Sequence, residues 1–336
     1  MTILELVDMA EKSGGGRGAK ICIGGKSGVG KTSLVWTLDR DSTLFIDLEA
    51  GDLALEGWEG TAVRPRTWDQ CRDIACILGG PNPARRKDQA YAEDHYNWLT
   101  GDRGCNTNEK SRDFGKRLET EEETEKRMAF VESVKKFNTI FVDSITHAGR
   151  LCFQWCTTQP DSYTKDGAVN TLGTYGLHGR EMIGWLTQLQ HIREKNVIFA
   201  CILDEKTDDF NRKVFNLQID GAKTGIELPG IVDELITMTI IYPPDGSDPY
   251  RAFVCHTINP YGFPAKDRSG RLSMIEQPHL GKVLDKLKAP RSKGASKELN
   301  HNLPSMVGET AAEEMSPDAV SSGHDIAPAN KRKGNK

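Results

Sequence analysis

The chain has 336 residues, of which 37% are hydrophobic, and a formal net charge of −4 at pH 7. This length allows one large or two ordinary domains with a substantial core, and the charge gives no overall attraction to nucleic acid, although a local basic groove is not excluded. No run approaches about 18 apolar residues, and acidic residues interrupt the amino-terminal MTILELVDMAEKSGGG, so neither a membrane span nor a signal peptide is expected. We therefore expect a cytoplasmic protein.

The eight cysteines are scattered along the chain, several of them inside apolar runs. This distribution favours free thiols over a disulfide framework. Cys152 and Cys156 lie four residues apart but lack a second ligand pair, so a metal site is not expected there.

Six apolar runs predict β-strands. The first four runs are continuous and apolar, as strands covered on both faces are. Helical patterns lie between them, notably at 31–39 and 179–195, so we expect an α/β fold with a mostly parallel central sheet. The last two runs are joined by the turn-rich PPDGSDP and predict an antiparallel extension. The six runs are 19–24, 43–48, 138–143, 196–203, 233–241 and 250–258.

The predicted core domain spans residues 19–288 and contains one insertion, and a further segment lies on each side of it. Residues 1–18 form a short amino-terminal segment. Residues 79–128 are polar and predict a surface insertion that carries one charged helix. From 289 to 336 the chain is poor in aromatic residues and rich in Ser, Ala, Pro, Gly and charge, which predicts a disordered tail.

A phosphate-binding loop follows the first predicted strand. The sequence GKSGVGKT places Gly25, Gly30, Lys31 and Thr32 in the positions of G-x-x-x-x-G-K-[ST], between a strand and a helix. Glycines let backbone N–H groups turn toward phosphate oxygens, Lys31 reaches the β and γ phosphates, and Thr32 ligates Mg²⁺, with Ser33 as an alternative hydroxyl. The predicted nucleotide-binding residues are Gly25, Lys26, Ser27, Gly28, Val29, Gly30, Lys31, Thr32 and Ser33.

Asp143 ends the apolar run NTIFVD and fits the carboxylate on the metal side of a P-loop enzyme. The alternative is that Asp143 only caps the following helix, although Ser144 or Thr146 can take that role instead. Ring ATPases of the AAA+ kind usually carry a glutamate directly after this aspartate. Ser144 stands there instead, which weakens an AAA+ interpretation.

The second predicted strand supplies a candidate for the residue that activates water. TLFIDLEAG ends with Asp47 and Glu49, which alternation places on one side of the strand, with Leu48 on the other. A carboxylate at this edge of the sheet can orient and deprotonate the water that attacks the γ phosphate. The alternative is that Glu49 caps a loop.

The order GKSGVGKTS, TLFIDLEAG, TIFVDSIT resembles the RecA-like ATPase core. More narrowly, the chain resembles phage nucleotide-binding proteins related to RecA that act as single-strand annealing proteins or recombinases, a likeness that ELPGIVDEL at 227–235 and PAKDRSG at 264–270 share. The resemblance covers about residues 19–275. It implies a Mg²⁺-dependent ATPase in which Glu49 activates water and Asp143 lies on the metal side.

The resemblance also implies two loops that face single-stranded DNA, at 157–178 and 205–226. Both loops mix basic and aromatic residues, which suit backbone contact and base stacking, although each such residue alone is more often an ordinary solvated loop residue. Asp204 stands where RecA proteins carry an amide that senses the γ phosphate. The candidate DNA-binding residues are Tyr163, Lys165, Tyr175, Arg212, Lys213 and Lys223.

Lys266 and Arg268 follow the last predicted strand, in a region where RecA-like proteins send cations to the nucleotide of a neighbouring subunit. Such cations would act catalytically and make hydrolysis depend on assembly. The alternative is an ordinary surface turn. The resemblance implies a homo-oligomer, in a ring or a filament, and suggests a single-stranded-DNA-binding protein as a partner.

The leading hypothesis is a RecA-like ATPase that acts on single-stranded DNA in phage or prophage recombination inside a bacterial host. A P-loop kinase or GTPase is a rival, but the N-K-x-D motif, the D-x-x-G motif after Asp143 and an Arg-rich lid are missing. A second rival is a protein that changes its oligomeric state with ATP and does not bind DNA.

Overall fold

The structure is a computed structural model that describes residues 17–101 and 119–289. Most of the amino-terminal segment, part of the polar insertion and nearly all of the predicted tail lie outside the described residues. No helix within the described ranges is long and apolar enough to cross a membrane. The seven cysteines within these ranges are free and buried.

A ten-stranded sheet forms the centre of the described part of the chain. The six predicted strands are all present, and four further strands join them. The strands are β1 (Lys20–Gly25), β2 (Thr43–Asp47), β3 (Thr61–Val63), β4 (Thr139–Asp143), β5 (Asn196–Thr207), β6 (Lys213–Leu217), β7 (Glu234–Ile241), β8 (Tyr250–Val254), β9 (Lys266–Asp267) and β10 (Ile275–Glu276).

The main path through the sheet runs β10-β8-β7-β1-β5-β4-β2-β3. All pairs from β7 to β3 are parallel, while β8 and β10 extend the sheet antiparallel. The predicted α/β fold with a mostly parallel sheet is therefore confirmed. The prediction for β7 was wrong in one respect, because β7 pairs parallel with β1 and only its other neighbour, β8, is antiparallel. Helix 222–231 crosses over before β7 and supplies the connection that parallel pairing requires.

Seven α-helices lie in the described ranges. They are α1 (Trp68–Gly79), α2 (Glu93–Thr100), α3 (Glu121–Ser133), α4 (Ile145–Thr157), α5 (Thr171–Gln190), α6 (Ala222–Ile231) and α7 (Leu280–Lys288).

The sheet is covered on both faces, and its strands alternate between the two cores. In β1, Cys22 belongs to the core that contains Trp68 of α1 and Trp185 of α5. Its neighbours Ile21 and Ile23 belong to the opposite core, beside α7. Successive side chains of a strand point to opposite faces, so a run that is apolar at every position fits a sheet buried on both sides.

The helix predicted at 179–195 is longer toward its amino terminus and ends earlier, as α5. Met182, Trp185, Leu186 and Leu189 are buried on its core-facing side, as the periodicity predicted. Because it starts at Thr171, residues 171–178 of the predicted loop 157–178 are helical.

The helix predicted after the phosphate loop is a short 3₁₀ helix, Thr32–Thr37. Its backbone bonds span three residues, from Leu34 N–H to Lys31 O and from Leu38 N–H to Val35 O. The Thr37 hydroxyl donates to Leu34 O at 2.6 Å, so a side chain takes a carbonyl that a continuing α-helix would use.

The polar segment 79–128 is less peripheral than its composition indicates. It contains α2 and the start of α3 rather than one helix, and Tyr91, Ala92 and Leu99 are buried within it. Polar residues surround these apolar ones in the sequence, and no periodic pattern marks them.

A buried acid holds the short strand β9 against β7. The Glu234 side chain is only 1% exposed, lies opposite Asp267 in the β7–β9 pair, and accepts a hydrogen bond from Ser269 N–H at 3.1 Å. Burial, together with the nearby Asp267 carboxylate, raises the pKa of Glu234 from 4.5 to about 8. The folded protein therefore favours a protonated Glu234.

The Glu234→Gln variant tests this protonated state. A folded-state pKa above the ordinary value contributes stability that is complete below pH 4.5 and is lost as the pH rises through about 8. Glutamine mimics the protonated acid at every pH. We expect Glu234→Gln to become more stable than wild type by about 1 kcal/mol or more between pH 5 and pH 9, measured by urea unfolding.

The exposed Glu227 of α6 provides a matched control. Glu227→Gln is expected to follow the wild-type pH dependence. Parallel stability curves for Glu234→Gln and wild type would contradict a raised pKa of Glu234.

Candidate nucleotide-binding and hydrolysis site

The phosphate loop leaves the carboxyl end of β1, where a side chain has no room. A Cβ atom at Gly25 would lie 2.8 Å from Met238 O and 2.9 Å from the Val29 side chain. Gly30 has a φ of 105°, a conformation that L residues with side chains rarely adopt. Two of the glycines of the motif are thus required by the local backbone.

Lys31 lies at the centre of the loop and is 8% exposed. Its ammonium group donates to Gly25 O at 2.8 Å and to Lys26 O at 3.0 Å. Burial lowers the pKa of Lys31, while the Asp143 and Glu49 carboxylates oppose this effect. The loop is therefore folded around a cation that can bind phosphate oxygens.

Arg251 supports the same loop, and the sequence analysis did not find it. It belongs to β8, and its Nε donates to Val29 O at 3.0 Å. β8 pairs with β7, and β7 pairs with β1, so the sheet places this arginine beside the loop across two strand pairings. Strand order and register determine this contact, and neither can be read from the local sequence.

Thr32 and Asp143 meet at the ends of different strands. The Thr32 hydroxyl donates to Asp143 Oδ2 at 2.5 Å. Burial raises the pKa of Asp143 to about 6; the Thr32 hydrogen bond and Lys31 lower it, while Glu49 and Asp47 raise it. A hydroxyl and a carboxylate in contact, next to further carboxylates, provide the oxygen ligands that Mg²⁺ prefers. The two predicted metal-side residues therefore fit this ion.

Glu49 lies just after β2, at the same edge of the sheet as Thr32 and Asp143. The Ser144 hydroxyl donates to Glu49 Oε1, and Leu48 N–H donates to Asp143 O at 2.7 Å. Ser144 also accepts a hydrogen bond from His147 N–H at 3.3 Å and so caps α4. Capping this helix was the alternative role considered for Asp143, and Ser144 takes that role instead.

Leu48 is buried and Glu49 is exposed at the edge of the sheet. The predicted alternation therefore places Leu48 in the core and leaves the Glu49 carboxylate accessible to a nucleotide and water. In the sequence, Ser144 marks the position where an adjacent glutamate is missing. In the structure, Ser144 is the hydrogen-bond partner of Glu49. No sequence pattern indicates this contact between β2 and β4.

Comparison with known proteins is consistent with this site. A family model described as an AAA domain matches residues 17–269. The chain belongs to this AAA domain family. Family membership and the phosphate loop at the edge of a mostly parallel sheet support the predicted RecA-like P-loop ATPase.

Solved structures similar to this AAA domain include a KaiC-like protein from the hyperthermophilic archaeon Pyrococcus horikoshii OT3, at 12% identity over 71% of this chain and 78% of that chain, with a TM-score of 0.32. Another is the flagellar accessory protein FlaH from Methanocaldococcus jannaschii, at 12% identity over 73% of this chain and 82% of that chain, with a TM-score of 0.26. No curated protein is significantly similar in sequence.

In this AAA domain, β5 continues beyond the sheet and forms a hairpin with β6. Glu205 joins the hairpin to the phosphate loop: its Oε2 lies 2.5 Å from Lys26 Nζ and its Oε1 lies 2.7 Å from Lys213 Nζ. Hydrogen bonds from these two lysines lower the pKa of Glu205 to about 2. Asp204, at the predicted sensor position, lies 3.4 Å from Lys206 Nζ.

A cavity of about 430 Å³ lies between the phosphate loop, the hairpin and β7. Its walls include Val29, Phe215, Met238 and Tyr242, with Lys26 and Lys213 also in the lining.

Much of the predicted loop 205–226 is regular secondary structure, because β6 and the start of α6 lie within it.

The other candidate DNA-binding residues are spread over the surface. Tyr163 is partly exposed and donates to Thr157 O at 3.0 Å, Lys165 is exposed nearby, and Tyr175 contacts the ring of Phe153 at 5.1 Å. Arg212 pairs with Asp208 at the hairpin tip. Lys223 lies in α6, and its side chain is outside the described part. A DNA contact by these residues stays a prediction.

Lys266 and Arg268 make contacts within their own chain. Lys266 donates to Val232 O at 2.9 Å and also to Pro229 O, near the end of α6, and Arg268 pairs with Asp233 at 3.0 Å. β9 pairs with the beginning of β7, so both cations lie toward the edge of the sheet opposite their own phosphate loop. A catalytic contact with the nucleotide of another subunit remains a prediction.

The Lys31→Ala variant tests the phosphate loop. Loss of a buried ammonium group that can make charged hydrogen bonds should weaken nucleotide binding on the order of 100-fold or more. Binding of a fluorescent ATP analogue, titrated by fluorescence anisotropy, measures the change. Lys126 of α3 is exposed and pairs with Glu122, so Lys126→Ala is a matched control with wild-type affinity expected. Equal affinities for the two variants would show that this loop does not hold the phosphates.

Proposed function

We propose that this chain hydrolyses ATP with Mg²⁺, assembles as a homo-oligomer on single-stranded DNA, and promotes annealing or strand exchange in phage or prophage recombination in a bacterial host cytoplasm. The observation that carries the hydrolysis proposal is the meeting of Thr32, Asp143, Ser144 and Glu49 beside Lys31. These residues come from three strand ends, and each has a separate chemical role.

Different residues of the chain have different roles in the proposed reaction. Lys31 and the loop amides bind the phosphates, while Thr32 and Asp143 would hold Mg²⁺, which neutralises charge on the phosphate oxygens. Glu49 accepts a proton from water as the water oxygen attacks the γ phosphorus, and the bond to the β–γ bridging oxygen breaks to give ADP and phosphate. The Ser144 hydroxyl, which donates to Glu49, orients that carboxylate.

The Glu49→Gln variant separates hydrolysis from binding. The amide keeps the size of the side chain but cannot take a proton, so turnover should fall about 10²- to 10⁴-fold while nucleotide affinity is retained. Phosphate release measures turnover, and the fluorescent analogue measures affinity. Glu56, an exposed glutamate further along the same connection, gives the control variant Glu56→Gln. Near-normal turnover of Glu49→Gln would assign the base to another residue.

The β5–β6 hairpin supports the DNA part of the proposal. Phe210 at its tip is 78% exposed, and the Arg212 guanidinium lies 5.1 Å from the centre of its ring. An exposed aromatic ring beside a cation suits base stacking and phosphate contact. Glu205 links this hairpin to Lys26 of the phosphate loop, so the surface proposed for DNA and the nucleotide site share a direct contact.

An ATPase assay with and without single-stranded DNA tests the DNA part. We expect turnover to rise at least about threefold with single-stranded DNA, and retention of the DNA to fall with added salt because phosphate contacts release counterions. The double variant Phe210→Ala with Arg212→Ala should lose stimulation and keep basal turnover, since neither residue belongs to the hydrolysis site. Turnover that responds to protein concentration but not to DNA would favour the rival function, a nucleotide-dependent oligomer that does not bind DNA.

A further inference from the structure

A charged row crosses three adjacent strand ends next to the site. Arg64 directly follows β3, Asp47 ends β2 and Asp143 ends β4. The register pairs Asp47 with Asp143, and it pairs Ile46 with Val63, so Arg64 follows β3 at the position beside Asp47. The parallel sheet thus places a cation and two carboxylates side by side along the edge that faces the nucleotide.

Asp47 is the most enclosed group of this row, with a side chain that is 1% exposed. A buried carboxylate is costly unless a cation or N–H donors compensate it. Arg64 Nε lies 3.3 Å from Asp47 Oδ2, so a half-exposed arginine is paired with the buried carboxylate. Asp47 Oδ1 accepts a hydrogen bond from Gly51 N–H at 3.2 Å.

These contacts fix both ends of the short segment that carries Glu49. At one end Leu48 N–H donates to Asp143 O, and at the other Gly51 N–H donates to Asp47. Between them Ala50 has a φ of 57°, a left-handed conformation that a residue with a side chain adopts at some cost. Such a conformation persists where the surrounding contacts determine it. The Asp47 carboxylate is one of these contacts.

We propose that Arg64 and Asp47 are positioning residues for the Glu49 carboxylate. The inference rests on the proposed role of Glu49 in hydrolysis. Arg64 orients Asp47 and balances its charge, Asp47 holds the backbone at Gly51, and the segment 48–51 then presents Glu49 to the attacking water. The phosphates are proposed to bind the loop after β1, which is separated from β2 by two strands, β5 and β4, so this arrangement acts on turnover rather than on nucleotide affinity.

The Arg64→Gln variant is the direct test. We expect kcat for ATP to fall on the order of tenfold to 100-fold, because a displacement of a catalytic group by about 1 Å has effects of this size. The dissociation constant of the fluorescent ATP analogue should stay within about twofold of wild type. Arg64→Lys, which keeps the charge, should recover part of kcat. Arg66, an exposed arginine two residues further on, gives the control Arg66→Gln with wild-type kcat.

A second measurement distinguishes positioning of Glu49 from a general structural role. If Arg64 acts through Glu49, adding Arg64→Gln to Glu49→Gln should cause no further loss in the single-turnover rate. A further tenfold loss in the double variant, or weaker nucleotide binding by Arg64→Gln, would overturn the proposal. Equal kcat for Arg64→Gln and Arg66→Gln would also overturn it, while the absence of turnover in wild type would remove the proposed hydrolysis itself.

Discussion

The hydrogen bond between Thr32 and Asp143 is the contact on which the organisation of the site depends. It joins the loop after β1 to the end of β4, although β5 lies between these two strands. The parallel pairings of β1 with β5 and of β5 with β4 bring the strand ends to one edge, and burial of these strands on both faces keeps that edge in place. The chemistry of the site is thus a consequence of sheet order more than of any single loop.

In the proposed mechanism, different strands supply the groups for nucleotide binding and for hydrolysis. β1 leads into the loop proposed to hold phosphate, β4 ends with the proposed metal-side carboxylate of Asp143, and Glu49 lies just after β2. Ser144 connects the last two, because it donates to Glu49 and caps α4. In the proposed mechanism, a serine after Asp143 therefore belongs to an arrangement in which the carboxylate that would activate water follows a different strand.

The sequence predicts the elements whose signals are local. The glycine pattern around Lys31 and the apolar runs ending in Asp47 and Asp143 were sufficient for the fold class and the loop. Arg251 and Arg64 were missed, because each reaches the site through strand register rather than through a motif. The partners of Lys266 were missed for the same reason, since its contacts are carbonyl oxygens at the end of a distant helix.

β5 has a position that sets it apart from the other strands of the sheet. Its first half lies between β1 and β4, and its second half extends past the sheet to pair with β6. One continuous strand therefore runs from between the two halves of the nucleotide site to the exposed tip at Phe210. On the proposed function, a macromolecule bound at the tip and a nucleotide bound beside β1 and β4 would contact two ends of this one strand, so each would be able to influence the other through β5.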